Sequence, residues 1–368
     1  MHERLLGYLL HPLPTGSGPD ESRPIFMRHH NRPNRLFVDL IGFAAFAFLA
    51  LGPARPAHAQ APLAALVPAY ANPCCAGGLT MWPDLIAAAS SGTIVLHVIL
   101  NPSSGPGASP IDPNFVNTGG VGPAVDLVSA GGRLYGYVAT GFGSRPLAAV
   151  QADIDRYYDP AYWRGAGVLV SGIFLDEMTN DIAATGYYQT LDAYVKSKDI
   201  GARVFGNPGT SFTQDTSGGA SGFSVGDYAD SVDTIVTFEN TGVAYRTGYA
   251  PPSWLASLDA SHFAHIIHTE ASTTDMQQDI QLARNRKVGF VYVTDDVLPN
   301  PFDFLASYWS EEQVAIAAVP VPGLGALGWA AGILGVGVCA TAIWASRRRI
   351  PETHPSAGSI DVSNGWPH

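Results

Sequence analysis

Cysteine is nearly absent: there are three in 368 residues, and two of them, Cys74 and Cys75, are neighbours. That excludes a disulfide-built scaffold and a zinc site made of several Cys. Charge is sparse, at 14% of residues, and basic charge is the scarcer sign, with 20 Lys+Arg against 31 Asp+Glu. A formal charge of −11 offers nucleic acid no basic face. Disorder is excluded as well, because 46% of the residues are hydrophobic and can fill a core. No Gly-x-Gly-x-x-Gly follows the first strand pattern, which argues against a Rossmann nucleotide site. No Gly-x-Ser-x-Gly elbow and no His-x-x-x-His occurs, so an α/β-hydrolase and a His-built metal centre lose support. Neither a cofactor nor a metal is expected.

Long apolar runs do exist, but only near the ends. Residues 36–52 read LFVDLIGFAAFAFLALG behind Arg28, Arg32 and Arg35, and Ala57-His58-Ala59 follows. This predicts a signal peptide region over 1–59, cleaved before Gln60, with Met27 as an alternative start. Residues 323–345 are apolar and uncharged, long enough to cross a hydrocarbon core of about 30 Å. Arg347, Arg348 and Arg349 follow, so a membrane anchor over 320–349 is expected, with a cytoplasmic tail at 350–368 and the body outside. The Val-Pro-Val-Pro-Gly junction, apolar helix and Arg cluster resemble PEP-CTERM sorting segments, although here 19 residues follow the cluster. The exported body, 60–319, keeps 11 basic and 25 acidic residues, a net of −14.

Within the body, β-branched and aromatic runs recur at 66–71, 93–101, 133–140, 171–177, 202–207, 234–239, 263–269 and 288–294. They are continuous rather than alternating, as in parallel strands covered on both faces. Helical patterns fill most gaps, the clearest at 146–158, 183–198 and 274–286, with Leu191, Tyr194 and Val195 expected on one face of the second. Eight strand-then-helix units in this length predict a (β/α)8 TIM barrel, with an open doubly wound sheet as the alternative.

In such a barrel the functional groups lie where strands end. Polar residues collect there: Tyr70 and Asn72, Asn101, Tyr137 and Thr140, Asp176 and Glu177, Asn207, Glu239 and Asn240, His268 and Glu270, Asp295 and Asp296. Asp176-Glu177 emerges directly from an apolar wall, Gly-Ile-Phe-Leu. Alternation should point one of the two into the mouth and the other away. Glu239 ends a strand two further on, giving the paired carboxylates that glycoside hydrolysis uses. His97 and His265 lie among apolar neighbours and read as core histidines. Cys74-Cys75 leaves two outcomes open, a vicinal disulfide or a bond to another chain.

Several of these segments, in order, resemble one family. They are Val67-Pro68-Ala69-Tyr70, Asn101-Pro102-Ser103-Ser104-Gly105-Pro106-Gly107, Gly136 to Thr140 with Arg145-Pro146, Asp153-Ile154 with Tyr157, Gly172-Ile173-Phe174-Leu175-Asp176-Glu177 and Phe238-Glu239-Asn240. Together they look like the spherulin-4 (spherulation-specific family 4) proteins, over nearly all of 66–310. The resemblance implies a TIM barrel of the GH135 type that hydrolyses galactosamine/N-acetylgalactosamine polymers in exopolysaccharide. It implies catalytic residues at Asp176, Glu177 and Glu239; of these, Asp176 is expected as nucleophile or charge stabiliser and Glu239 as acid/base, with Glu177 the next choice for either role. Tyr70, Asn101, Tyr137, Asn207, His268 and Asp295 are expected to bind the sugar. The Asn72-Pro73-Cys74-Cys75 loop and the Gly/Ser-rich stretch 210–226 depart from the family pattern, so the exact sugar stays open. The rival expectation is a surface carbohydrate-binding or envelope protein that kept the barrel and lost turnover.

Overall fold

The computed structural model describes residues 62–116, 120–210 and 224–318. All eight predicted strands are present: β1 (Ala64–Ala69), β2 (Leu96–Leu100), β3 (Arg133–Ala139), β4 (Gly172–Asp176), β5 (Arg203–Gly206), β6 (Thr234–Thr241), β7 (Phe263–His268) and β8 (Phe290–Val293). Each pairs in parallel with the next, and β8 returns to β1, closing the barrel. The open-sheet alternative is therefore excluded. Every position of β1, β2, β7 and β8 is buried, which is why these strands read as unbroken apolar runs.

The outer layer is built from α1 (Gly78–Ser91), α2 (Pro123–Ser129), α3 (Leu147–Tyr158), α4 (Thr185–Lys198), α5 (Val225–Ala229), α6 (Gly242–Thr247), α7 (Thr273–Asn285) and α8 (Trp309–Ala317). Helix α3 buries Val150, Ile154 and Tyr157 at helical spacing, and Gly136 on β3 leaves room for the Tyr157 ring that a Cβ would strike. On α4 the buried stripe is Tyr188, Leu191 and Val195. Tyr194, expected on that face, lies at its edge and donates its hydroxyl to Asp155 at 2.8 Å. Ser272 caps α7 by accepting from the Asp275 N–H at 3.2 Å, and the basic Arg284 falls in its last turn, as the macrodipole favours.

Side chains fill the barrel interior. His97 stacks on Tyr135 and meets Phe205 and Phe290 edge-on, making an aromatic floor. Burial, with help from Arg133 and Arg203, pushes His97 down to about 3, so it is neutral and packs as a core residue. His265 points the other way, into the helix layer, where Tyr245 and Thr237 hydrogen-bond its two nitrogens. Both histidines sit where the sequence predicts.

The seam between β8 and β1 is short, with Ala64 opposite Phe290 and Ala65 opposite Val291. Helix α8 fastens it. Buried Glu312 accepts from the Val293 N–H at 2.8 Å, and buried Arg284 donates to the carbonyls of Ala315 and Ile316 at 2.9 and 2.6 Å. Cys74 and Cys75 are bonded to each other, on the exposed β1–α1 loop. The predicted export segment and the 323–345 run lie outside the described residues. Among the described residues no helix is long and apolar enough to cross a membrane.

Candidate active site

β4 ends at Asp176 and β5 ends just before Asn207, so the pleat brings both side chains to the same end of the barrel. On β6 a register shift between Val236 and Phe238 interrupts the alternation. Thr237 and Phe238 both contact His265 in the helix layer, and Glu239 is left to face the mouth.

These three residues converge. The Asn207 side-chain amide donates to Asp176 Oδ1 at 2.8 Å and to Glu239 Oε2 at 2.7 Å. Two contacts from one nitrogen cap the separation of those oxygens at 5.5 Å. The Asn207 oxygen accepts from the Gly209 N–H at 2.9 Å, which fixes the amide's orientation. Tyr137 adds a hydroxyl hydrogen bond to Asp176. Tyr70 packs edge-on against Tyr137 and Phe302, close enough to feel both carboxylates.

The two acids titrate differently. Burial raises Asp176 above the usual carboxylate range, but hydrogen bonds from Tyr137, the Glu177 N–H and Asn207 oppose it. Among the described residues Asn207 is the side-chain donor to Glu239, and burial of the Glu239 carboxyl together with the Asp176 charge pushes it up to about 7. Glu239 therefore holds a proton near neutrality, while Asp176 is the better stabilised anion. Burial holds the Tyr70 and Tyr137 hydroxyls above their ordinary value, so both remain donors.

The other expected site residues divide. His268, buried at the end of β7, follows Ala264 and Ile266 on the inward face, and burial lowers its pKa. Glu177 does not join the pair. Its backbone turns left-handed (φ 50°), and its carboxylate accepts from the Gly141 N–H at 3.2 Å. It still acts on Asp176 through its charge. Asn101 uses its side-chain oxygen on the Gly105 N–H of its own loop at 3.0 Å. Asp295 accepts from the Ser307 N–H at 2.9 Å and from its hydroxyl, holding the loop before α8. Glu270 lies in the helix layer, where Arg246 bonds both it and Asp279.

A feature absent from the sequence reading is the turn after β3. Gly141, Phe142 and Gly143 are all left-handed, and the turn is bonded to Glu177. The Gly-Phe-Gly spelling was its available signal. Among the described residues no group of three or more His, Cys, Asp and Glu is placed to hold a metal ion.

Comparison with known proteins meets this geometry. The spherulation-specific family 4 model matches residues 64–316. Spherulin-4 of Physarum polycephalum is 30% identical over 272 residues, 72% of this chain and 73% of that protein. The crystal structure of Aspergillus clavatus Sph3 in complex with GalNAc aligns at a TM-score of 0.56 and 22% identity, covering 71% of this chain and 100% of that one. At that identity the structural likeness speaks for the shared barrel.

Proposed function

Because this chain belongs to spherulation-specific family 4, we propose that it is an exported glycoside hydrolase that cleaves an amino-sugar exopolysaccharide with galactosamine or N-acetylgalactosamine linkages. The observation that carries this reading is the Asn207 amide holding an oxygen of Asp176 and an oxygen of Glu239 within 5.5 Å of each other, with the proton on the Glu239 side. The GalNAc bound in the Sph3 structure supports the sugar class.

Glu239 protonates the leaving glycosidic oxygen. Asp176, ionised and held by Tyr137 and Asn207, attacks the anomeric carbon as positive charge develops there. Glu239 then takes a proton from the water that releases the glycosyl group. With one oxygen of each carboxyl no more than 5.5 Å from the other, the pair is close enough for the retaining arrangement, whose carboxyl groups lie about 5–5.5 Å apart. Tyr70, Tyr137 and His268 line the same mouth and bind sugar hydroxyls. Export and anchoring belong to the same proposal, supported by the apolar runs at 36–52 and 323–345 with their Arg flanks.

The test is reducing-end release from a galactosaminogalactan-type polymer. Wild type should release ends, and Glu239→Gln should be slower by about 100-fold or more. Tight binding without release by wild type, across several amino-sugar polymers, would leave a carbohydrate-binding envelope role instead. A first-formed product of inverted anomeric configuration would overturn the retaining mechanism.

A further inference from the structure

Phe142 is 67% exposed, and among the described residues its ring meets no other aromatic. Its backbone is left-handed (φ 55°), between Gly141 (φ 58°) and Gly143 (φ 77°). Glycine suits such a turn, whereas a bulky residue there is a steric outlier. The side chain neither fills the core nor suits its own backbone, so folding gives no reason for it.

The turn is nevertheless fixed. The Phe142 N–H donates to the Glu177 carbonyl at 2.7 Å, and the Thr140 hydroxyl donates to the same oxygen at 2.7 Å. The Thr140 N–H donates to the Asp176 carbonyl at 2.9 Å, and the Gly141 N–H to the Glu177 carboxylate at 3.2 Å. Phe142 is thus registered against the chain segment that carries Asp176. Strained residues held by over-determined surroundings cluster at ligand clamps.

We propose that Phe142 is a sugar-stacking platform at the edge of the cleft. It takes the apolar face of a pyranose ring in the subsite beside the cleaved bond. A galacto-configured ring suits it, because its axial O4 lies on one face and leaves the C3, C4 and C5 hydrogens together on the other. Covering these hydrogens with an aromatic face removes apolar surface from water without unpairing any hydroxyl. This inference rests on the hydrolase reading above and names a specificity-determining contact within it.

The experiment compares wild type, Phe142→Gly and Phe142→Trp on a galactosamine-type polymer, with KM, kcat and Tm measured for each. Glycine is the residue the turn prefers, so Phe142→Gly should melt at or above the wild-type temperature. Its KM should rise roughly 3- to 10-fold, with the loss in KM rather than kcat. Phe142→Trp should restore the wild-type KM. A KM for Phe142→Gly equal to wild type overturns the platform, and so does a tryptophan variant as weak as the glycine one. If wild type cleaves the polymer and the variants match it, only the platform falls. If wild type neither binds nor cleaves, the hydrolase reading falls with it.

Discussion

Asp176 and Glu239 are held by one donor: the Asn207 amide reaches an oxygen of each, at 2.8 and 2.7 Å. Neither carboxylate can be repositioned without disturbing the other. Asn207→Ala removes this tie and leaves two buried acids to repel. The kcat should fall roughly 100-fold, in the range found when one preorganised donor is lost. Single-turnover hydrolysis measures it, and a kcat within threefold of wild type would contradict the role given to Asn207.

The pH profile follows from Glu239. Its pKa is raised from the ordinary carboxylate value to about 7, so it keeps the acid's proton up to that pH and loses it above. Hydrolysis should therefore decline as pH rises through about 7. Because the two carboxylates interact, the measured limb belongs to the pair. A kcat/KM flat from pH 6 to 8.5 would show that Glu239 is not the acid.

Stability should carry a pH slope from Asp279. Arg246 bonds Asp279 and Glu270, and among the described residues Asp279 Oδ1 has no hydrogen-bond partner. Burial raises Asp279 to about 7 in the folded state. The fold then binds a proton that the unfolded chain releases near the ordinary value, so stability falls as pH climbs from about 4 to about 7. Asp279→Asn should flatten that decline by about 1–3 kcal/mol. Chemical denaturation at pH 4.5 and 7.5 reads it out, and an unchanged slope would count against this assignment.

Salt should weaken binding of a partly deacetylated, cationic polymer. The 60–319 segment has a net charge of −14. Raising salt from roughly 0.05 to 0.5 M shortens the screening length severalfold, so Kd should rise with it. An affinity for the deacetylated polymer that ignores salt would remove electrostatics from recognition.

The barrel was legible because parallel strands covered on both faces leave continuous apolar runs, and each run here matches a strand to within three residues at either end. Asp176 and Glu239 were legible as acids closing such runs. Helix α1 was not, because it begins at Gly78 and contains Pro83, both of which read as helix breakers. Asn207 was read as a sugar ligand, and its place between two acids depends on three strands meeting in space. Glu177 stood close behind Asp176 for either catalytic role because a left-handed residue leaves no mark in a run of letters. Asn101 is spent on the turn to Gly105 and Asp295 on pinning Ser307 across a loop, and such loop-holding bonds compete for the polar residues that also mark a mouth.

The short β8–β1 seam gives the molecule a mechanical direction. Ala64, Ala65, Phe290 and Val291 close the cylinder, and Glu312 and Arg284 rivet α8 beside them. Among the described elements α8 is the last in the chain, so a pull on its C-terminal end is borne by α8 and by the seam it fastens. That seam lies across the cylinder from β4, β5 and β6, which lead to Asp176, Asn207 and Glu239, so a load borne by α8 enters the barrel on the side away from the carboxylates.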